Sequence, residues 1–218
     1  MKKILLAGAV ALFGLSNAQI AKGTTYLSGS VGYSQVENNN GNDKKENFNV
    51  LPTVGYFVNT NLAVGLGIGY QTEKNTVTTT ATLGNTTIVN ENVTKTPAFV
   101  VAPFVRKYWT LSDKLYFFGQ LAVPMQFGKT EVETSSVATS GNTVVTNSTS
   151  TEAKYTKIGV TVKPGLDYFL NKNWSIEATI GEFGYSNYKP KNGDATNNYN
   201  FGLNLSSVTF GVKYVFAK

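Results

Sequence analysis

The feature that most limits the fold is an alternation that runs to the end of the chain. Val208, Phe210, Val212, Tyr214 and Phe216 are apolar, and Thr209, Gly211 and Lys213 stand between them. Chain ends fray unless something holds them, so a period of two kept this far predicts a paired terminal strand. The same period fills the interior of the sequence. Leu62, Val64, Leu66, Ile68 and Tyr70 alternate with Ala63, Gly65, Gly67, Gly69 and Gln71. Trp174, Ile176, Ala178 and Ile180 alternate with Ser175, Glu177, Thr179 and Gly181. Beyond the N-terminal segment there is no helical stripe, and no stretch reaches the ~18 consecutive apolar residues of a membrane helix. The pattern predicts an all-β chain of eight strands, near 23–36, 47–58, 62–80, 86–109, 115–135, 150–170, 174–187 and 201–216.

The connections alternate in kind. Short turns follow the even-numbered strands, at Asn59–Asn61, Thr110–Lys114 and Asn171–Asn173. Long polar stretches rich in Asn, Thr and Ser follow the odd-numbered ones, "NNNGNDKKE" first and "YKPKNGDATNNYN" last. Three segments resemble one another: "LPTVGYFVNTN", "APFVRKYWTLSDK" and "KPGLDYFLNKN". They make Pro52, Pro103 and Pro164 equivalent. Proline is unwelcome in a central strand, so its recurrence predicts a fixed structural place such as a bulge.

Which face is buried follows from size. The apolar positions are large, and the positions between them are small: Gly65, Gly67, Gly69, Ser28, Ser30, Gly32, Gly211. A soluble barrel packs bulky aliphatics inward. Here the large residues fit better against lipid, with the small and polar ones inside. Arg106, Asp167, Glu177 and Lys213 all fall on the inward face, where opposite charges can pair. An unpaired basic residue facing lipid at midplane costs ~2–4 kcal/mol. Two readings stand for this set: a gate or ion path, or an internal salt-bridge network that locks the barrel. Tyr56, Phe57, Tyr108, Trp109, Tyr168, Trp174, Tyr214 and Phe216 flank the short turns, where an interfacial aromatic girdle belongs. Lipid forbids open sheet edges. The expected architecture is therefore a closed antiparallel eight-stranded up-and-down transmembrane β-barrel, with both termini on the short-turn side.

"MKKILLAGAVALFGLSNAQ" opens the chain with Lys2 and Lys3, an apolar run from Ile4 to Leu15, and small residues Ser16 and Ala18 before Gln19. This is the form of a cleaved export signal over 1–18, leaving 19–218 as a single barrel domain. The chain has no cysteine and no histidine. Disulfides, thiolate metal sites and every Ser-His-Asp, Cys-His or His-metal centre are excluded. No cofactor is expected. The net charge is +6, but its basic residues are scattered, without a stripe interleaved with aromatics, which argues against nucleic acid.

The chain resembles the small eight-stranded outer-membrane β-barrel family of Gram-negative envelopes, the OmpA/OmpX-like, porin-like proteins, over 23–216. The most specific match is the family's C-terminal insertion signal, met here by Thr209, Gly211, Tyr214 and Phe216. Ala217 and Lys218 follow Phe216, whereas many members end on the aromatic. The resemblance implies a monomer set in outer-membrane lipid by the barrel-assembly machinery, with both termini periplasmic and the long loops extracellular. It implies no single activity.

Two Thr/Val/Asn-rich hairpins, 71–96 and 129–157, exceed the ~9–11 residues a strand needs to span a bilayer. Gly84-Asn85 and Gly141-Asn142 are suited to their turns. As β-ribbons beyond the membrane, they would offer an edge to an extracellular partner; as flexible loops, they would merely coat the surface. Three functions follow in order. The first is a non-enzymatic barrel with a structural or surface-interaction role, and the second a narrow porin-like channel or small-solute transporter. The third, a lipid-modifying barrel enzyme, is weakened by the missing histidine and would rest on Glu177 with Asp167.

Overall fold

A computed structural model describes residues 20–202 and 208–216. The proposed signal 1–18 and the final pair Ala217 and Lys218 lie outside the described residues. Among those described, twelve strands form one antiparallel sheet. They are β1 (Thr25–Asn38), β2 (Asp43–Asn59), β3 (Leu62–Leu83), β4 (Thr86–Lys95), β5 (Ala98–Thr110) and β6 (Leu115–Ala122). Then come β7 (Met125–Ser140), β8 (Thr143–Phe169), β9 (Trp174–Ile180), β10 (Glu182–Pro190), β11 (Thr196–Gly202) and β12 (Val208–Phe216).

The expected count of eight is thus corrected to twelve. Three expected runs are interrupted where the ladder cannot continue. Thr96 and Pro97 separate β4 from β5, Val123 and Pro124 separate β6 from β7, and Gly181 separates β9 from β10. Proline has no N–H to give the ladder, and Gly181 takes a positive φ of 69°. The fourth run, the last in the chain, is described as β11 and β12 on either side of 203–207.

The pairings return on themselves. β1 pairs with β2, β2 with β3, β3 with β5, β5 with β6, β6 with β8, β8 with β9, β9 with β12 and β12 with β1. At the other end β4, β7 and β10 continue the wall, and β11 pairs only with β10 among the described residues. The sheet is therefore continuous around the end that carries the short turns and less evenly closed at the other. At the short-turn end Thr25 pairs with Phe216 and with Tyr56. Asn61 accepts from the Ile20 amide at 2.8 Å. No helix among the described residues is long and apolar enough to cross a membrane, which says nothing about strands.

The two faces separate as the alternation requires. On β12, Val212 is 54% exposed while Lys213 beside it is 0% exposed. Leu27, Val54, Leu66, Ile68, Val160 and Ile176 also face outward.

The inward face departs from the expectation of small residues. Tyr26, Phe57, Tyr108, Tyr116 and Phe118 are buried together at the short-turn end. Phe57 and Tyr108 were placed in the outer girdle by their nearness to the turns, and that placement is corrected: they share the inward parity of Gly55 and Arg106. Tyr56, Trp109, Tyr168, Trp174 and Phe216 do face outward. Tyr214 is half-buried and rests edge-on against Trp174 at 4.9 Å. Cross-strand glycines make room for the inner rings. Gly55 stands opposite Tyr26, Gly65 opposite Phe104 and Gly165 opposite Phe118. A Cβ at any of the three would run into the facing ring.

Two other expectations change. The prolines mark no bulge: Pro52, Pro103 and Pro164 sit in register with Gly29, Leu66 and Gly119, and the bulge of β2 against β3 lies between Phe57 and Asn59. The first long connection is mostly strand, because β1 and β2 pair as far as Asn38 and Asp43 around a 3-10 turn, Asn39–Gly41.

The two Thr/Val-rich hairpins are strands almost throughout. They turn at Gly84-Asn85 and Gly141-Asn142, with φ of +58° and +56° at the glycines. They also pair with each other, β4 to β7, from Thr86 with Ser140 to Lys95 with Glu131. The result is one four-stranded sheet, β3-β4-β7-β8, standing beyond the rest of the wall.

Candidate functional site

Arg106, Asp167, Glu177 and Lys213 come from β5, β8, β9 and β12 and meet in one layer above the aromatic cluster. Each is inward by strand parity. Asp167 and Glu177 stand directly opposite one another on neighbouring strands. Like charges so placed repel, and each is answered by a cation from elsewhere on the wall. Lys213 forms an ion pair with Asp167, both fully buried. Arg106 donates to Glu177 at 2.5 Å across the interior. Its Nε donates to Gln120 at 2.8 Å, and its terminal nitrogen to the Tyr108 hydroxyl at 3.1 Å. Lys213 reaches the same hydroxyl at 3.3 Å, so Tyr108 joins the two pairs.

Aromatic rings complete the cations' surroundings. The Arg106 guanidinium lies 4.2 Å over the Phe118 ring centroid. Lys213 sits among Tyr108, Phe169 and Tyr26, at 4.9, 5.0 and 5.3 Å from their centroids. Such contacts are worth about 2 kcal/mol when desolvated. They help to offset removing charge from water, a cost that ion pairing alone often fails to recover. The layer is not fully satisfied. Asp167 Oδ1, Tyr26 OH and Ser175 Oγ have no hydrogen-bond partner among the described residues.

Above this layer the interior is polar and open. A cavity of about 320 Å³ is lined by Ser28, Asn49, Thr53, Gln120, Arg106 and Glu177. It shares Gln71 with a wider one of about 510 Å³ toward the mouth, where Gln71 donates to Gln126 at 3.1 Å. Lys163 and Glu182 pair at 2.9 Å on the wall of a neighbouring cavity. Below the layer, the interior is filled by rings.

Sequence reasoning missed Tyr108, Gln120 and Tyr26 as members of this site. The signal was present. Tyr108 is two residues from Arg106, and Tyr26 two from Ser28, so period two alone puts both inside. Of the C-terminal set, Gly211 is buried, Tyr214 half-buried and Thr209 and Phe216 exposed, all on β12. Among the described residues no three His, Cys, Asp or Glu side chains gather as metal ligands.

The sequence matches the family described as "Outer membrane protein beta-barrel domain" over residues 5–216. Comparison with curated proteins finds no match. Among solved structures, the N-terminal beta-barrel domain of Pseudomonas aeruginosa OprF is similar at 9% identity and a TM-score of 0.40, covering 90% of this chain and 100% of that one. Ail, the attachment invasion locus protein of Yersinia pestis, is similar at 14% identity and a TM-score of 0.36, covering 89% and 99%. The translocator domain of the autotransporter NalP from Neisseria meningitidis is similar at 10% identity and a TM-score of 0.24, covering 98% and 94%.

Proposed function

The chain belongs to the family of outer membrane protein beta-barrel domains, and on that premise we propose that it is a non-enzymatic, non-conducting barrel of the Gram-negative outer membrane that acts through its outer surface. Its wall is read as eight courses, in which β4 with β5, β6 with β7, β9 with β10 and β11 with β12 each make one crossing. The leader 1–18 is removed. Thr209, Gly211, Tyr214 and Phe216 present the insertion signal to the barrel-assembly machinery. The termini and short turns face the periplasm, and the four-stranded sheet faces outward to meet an extracellular partner. The protein is a monomer within its membrane and binds no nucleic acid or cofactor.

The observation that carries the reading is the contrast along the barrel axis. Rings and paired charges fill the periplasmic half, and a built sheet extends from the other. Arg106, Asp167, Glu177 and Lys213 serve as a lock, since each charge is answered and the rings of Tyr26, Phe57, Tyr116 and Phe118 pack beneath them. Planar bilayer recordings of the purified barrel test this against the porin-like alternative. Silent bilayers are expected. Steady currents that change in Glu177→Gln would replace the proposal with a channel. Phospholipid turnover lost in Glu177→Gln or Asp167→Asn would replace it with an enzyme.

A further inference from the structure

Among the described residues, the four-stranded sheet ends on a strand that is paired along one edge only. On one side β8 pairs with β7 up to Thr143. On its other side, the pairing with β10 stops at Tyr155 opposite Pro190. The backbone groups left over can be named. Ser140 and Thr143 close a two-residue turn, so Thr143 and every second residue after it direct N–H and C=O toward β7. Two bonds farther down agree with this phase: Gly159 donates to Pro124 at 2.9 Å on the β7 side, and the Lys154 carbonyl accepts from Lys191 at 2.8 Å on the other. Val144, Thr146, Ser148, Ser150 and Glu152 therefore present their N–H and C=O groups to solvent along one edge. Every residue from Thr143 to Lys154 is exposed. The stretch "VVTNSTSTEA" contains none of the prolines, glycines or lysines that blunt exposed edges.

We infer that this edge pairs with the same edge of a second copy carried on a facing membrane; the inference rests on the surface-interaction reading above. The register is self-complementary. A two-fold axis through Ser148 sets Ser148 against Ser148, Thr146 against Ser150 and Val144 against Glu152. All five residues with outward backbone groups then exchange hydrogen bonds, and no like charges stand opposite. This is an isologous contact. Membrane geometry selects the facing copy. Two barrels in one membrane are related by rotation about the membrane normal. That rotation runs the two β8 strands parallel and turns each residue to the opposite face from its copy, so the ladder cannot form. A two-fold axis lying between two membranes makes the strands antiparallel and keeps both faces aligned. Within the four-stranded sheet, the opposite edge, on β3, is too short to compete. Thr78 already donates to Asn42 at 2.7 Å, which leaves only Thr80 and Thr82.

The chain has no cysteine, so single-cysteine variants read the contact directly. Opposed residues in a hydrogen-bonded pair lie ~5.5 Å apart at Cα, within disulfide range. Two populations of phosphatidylcholine vesicles, each carrying Ser148→Cys with a different fluorophore on the lipid-facing wall, are mixed with a mild oxidant. The expected result is vesicle clustering and two-colour covalent dimers, at a yield roughly tenfold above that of Thr80→Cys. Thr146→Pro and Ser150→Pro, which remove edge donors while sparing the β7 ladder, should abolish the clustering. Dispersed vesicles with no two-colour dimer, from protein that migrates differently on gels before and after heating, as a folded barrel does, overturn the pairing and leave the outer-membrane reading standing. Protein that fails to enter the vesicles overturns both.

Discussion

The short-turn half of the interior and the four-stranded sheet beyond the wall are made by the same alternation, yet they are held by different forces. In the first, side chains do the work. Tyr26, Phe57, Phe118 and Asp167 are shut away from solvent, and Tyr108 links two ion pairs. In the second, side chains are exposed from Thr143 to Lys154, and what holds the strands is the backbone ladder with Thr and Val at their preferred conformation. Charge follows the same division. The buried pairs are held by the Tyr108 hydroxyl and by aromatic rings. The outer pairs, Lys129 with Glu131 at 2.5 Å and with Glu152 at 2.9 Å, are open to water and screened. The lesson is that a strand pattern predicts pairing, while burial decides what a change will cost.

The largest expected effect comes from breaking a buried pair. Asp167→Asn leaves Lys213 charged and unanswered, and should destabilise the barrel by ~3–5 kcal/mol in urea-dependent refolding into micelles. Adding Lys213→Met should recover much of the loss. A double variant no better than the single one would show that the pair does not act as a unit. Next is crowding the interior. Gly165→Val drives a side chain into the Phe118 ring and should cost ~1–3 kcal/mol by the same assay. The reverse holds for the outer sheet. Replacing 79–90 and 136–147 by two-residue turns should change barrel stability by under ~0.5 kcal/mol. A larger loss would mean that the sheet braces the wall.

The smallest effect is a response to pH confined to the sheet. The Lys129 ammonium, bound to Glu152, holds that carboxyl below its usual range, and the two carboxylates beside Lys129 raise the lysine. A depressed carboxyl stabilises the fold above its ordinary value of ~4.3 and loses that contribution as pH falls through the folded value. Amide exchange at the residues of β8 bonded to β7, Val145, Asn147, Thr149, Thr151 and Ala153, corrected for intrinsic rates, should therefore quicken in acid, while that along 165–167 stays slow. Equal quickening in both would erase the distinction drawn between them.

Most of the fold could be read from period two. The alternation placed the strands, showed which face holds Val212 and which holds Lys213, and put Arg106, Asp167, Glu177 and Lys213 on one side of the wall. The interruptions were harder to read. Pro97 and Pro124 have the same side chain as Pro52 and Pro103, and only their neighbours decide whether the missing N–H breaks a ladder or falls where none is needed. The inner rings were hidden for another reason. Tyr108 sits beside Trp109 near a turn, and nearness to the turn was given more weight than parity. The union of the two hairpins, β4 against β7, joins segments 36 to 54 residues apart through a backbone ladder, which leaves almost no mark in a Thr-rich sequence.

The pairing of Thr25 with Phe216 has a consequence for how the fold is reached. The first and last described strands are neighbours, so closing the wall brings together the two most distant parts of the sequence. That step carries the greatest entropic cost of any contact in the chain and rewards it only at the end. It is also the step that brings Lys213 to Asp167. Until β12 docks, Asp167 has no cation, and once it docks, undocking must expose both charges together. The seam between β1 and β12 is thus slow to form and slow to undo.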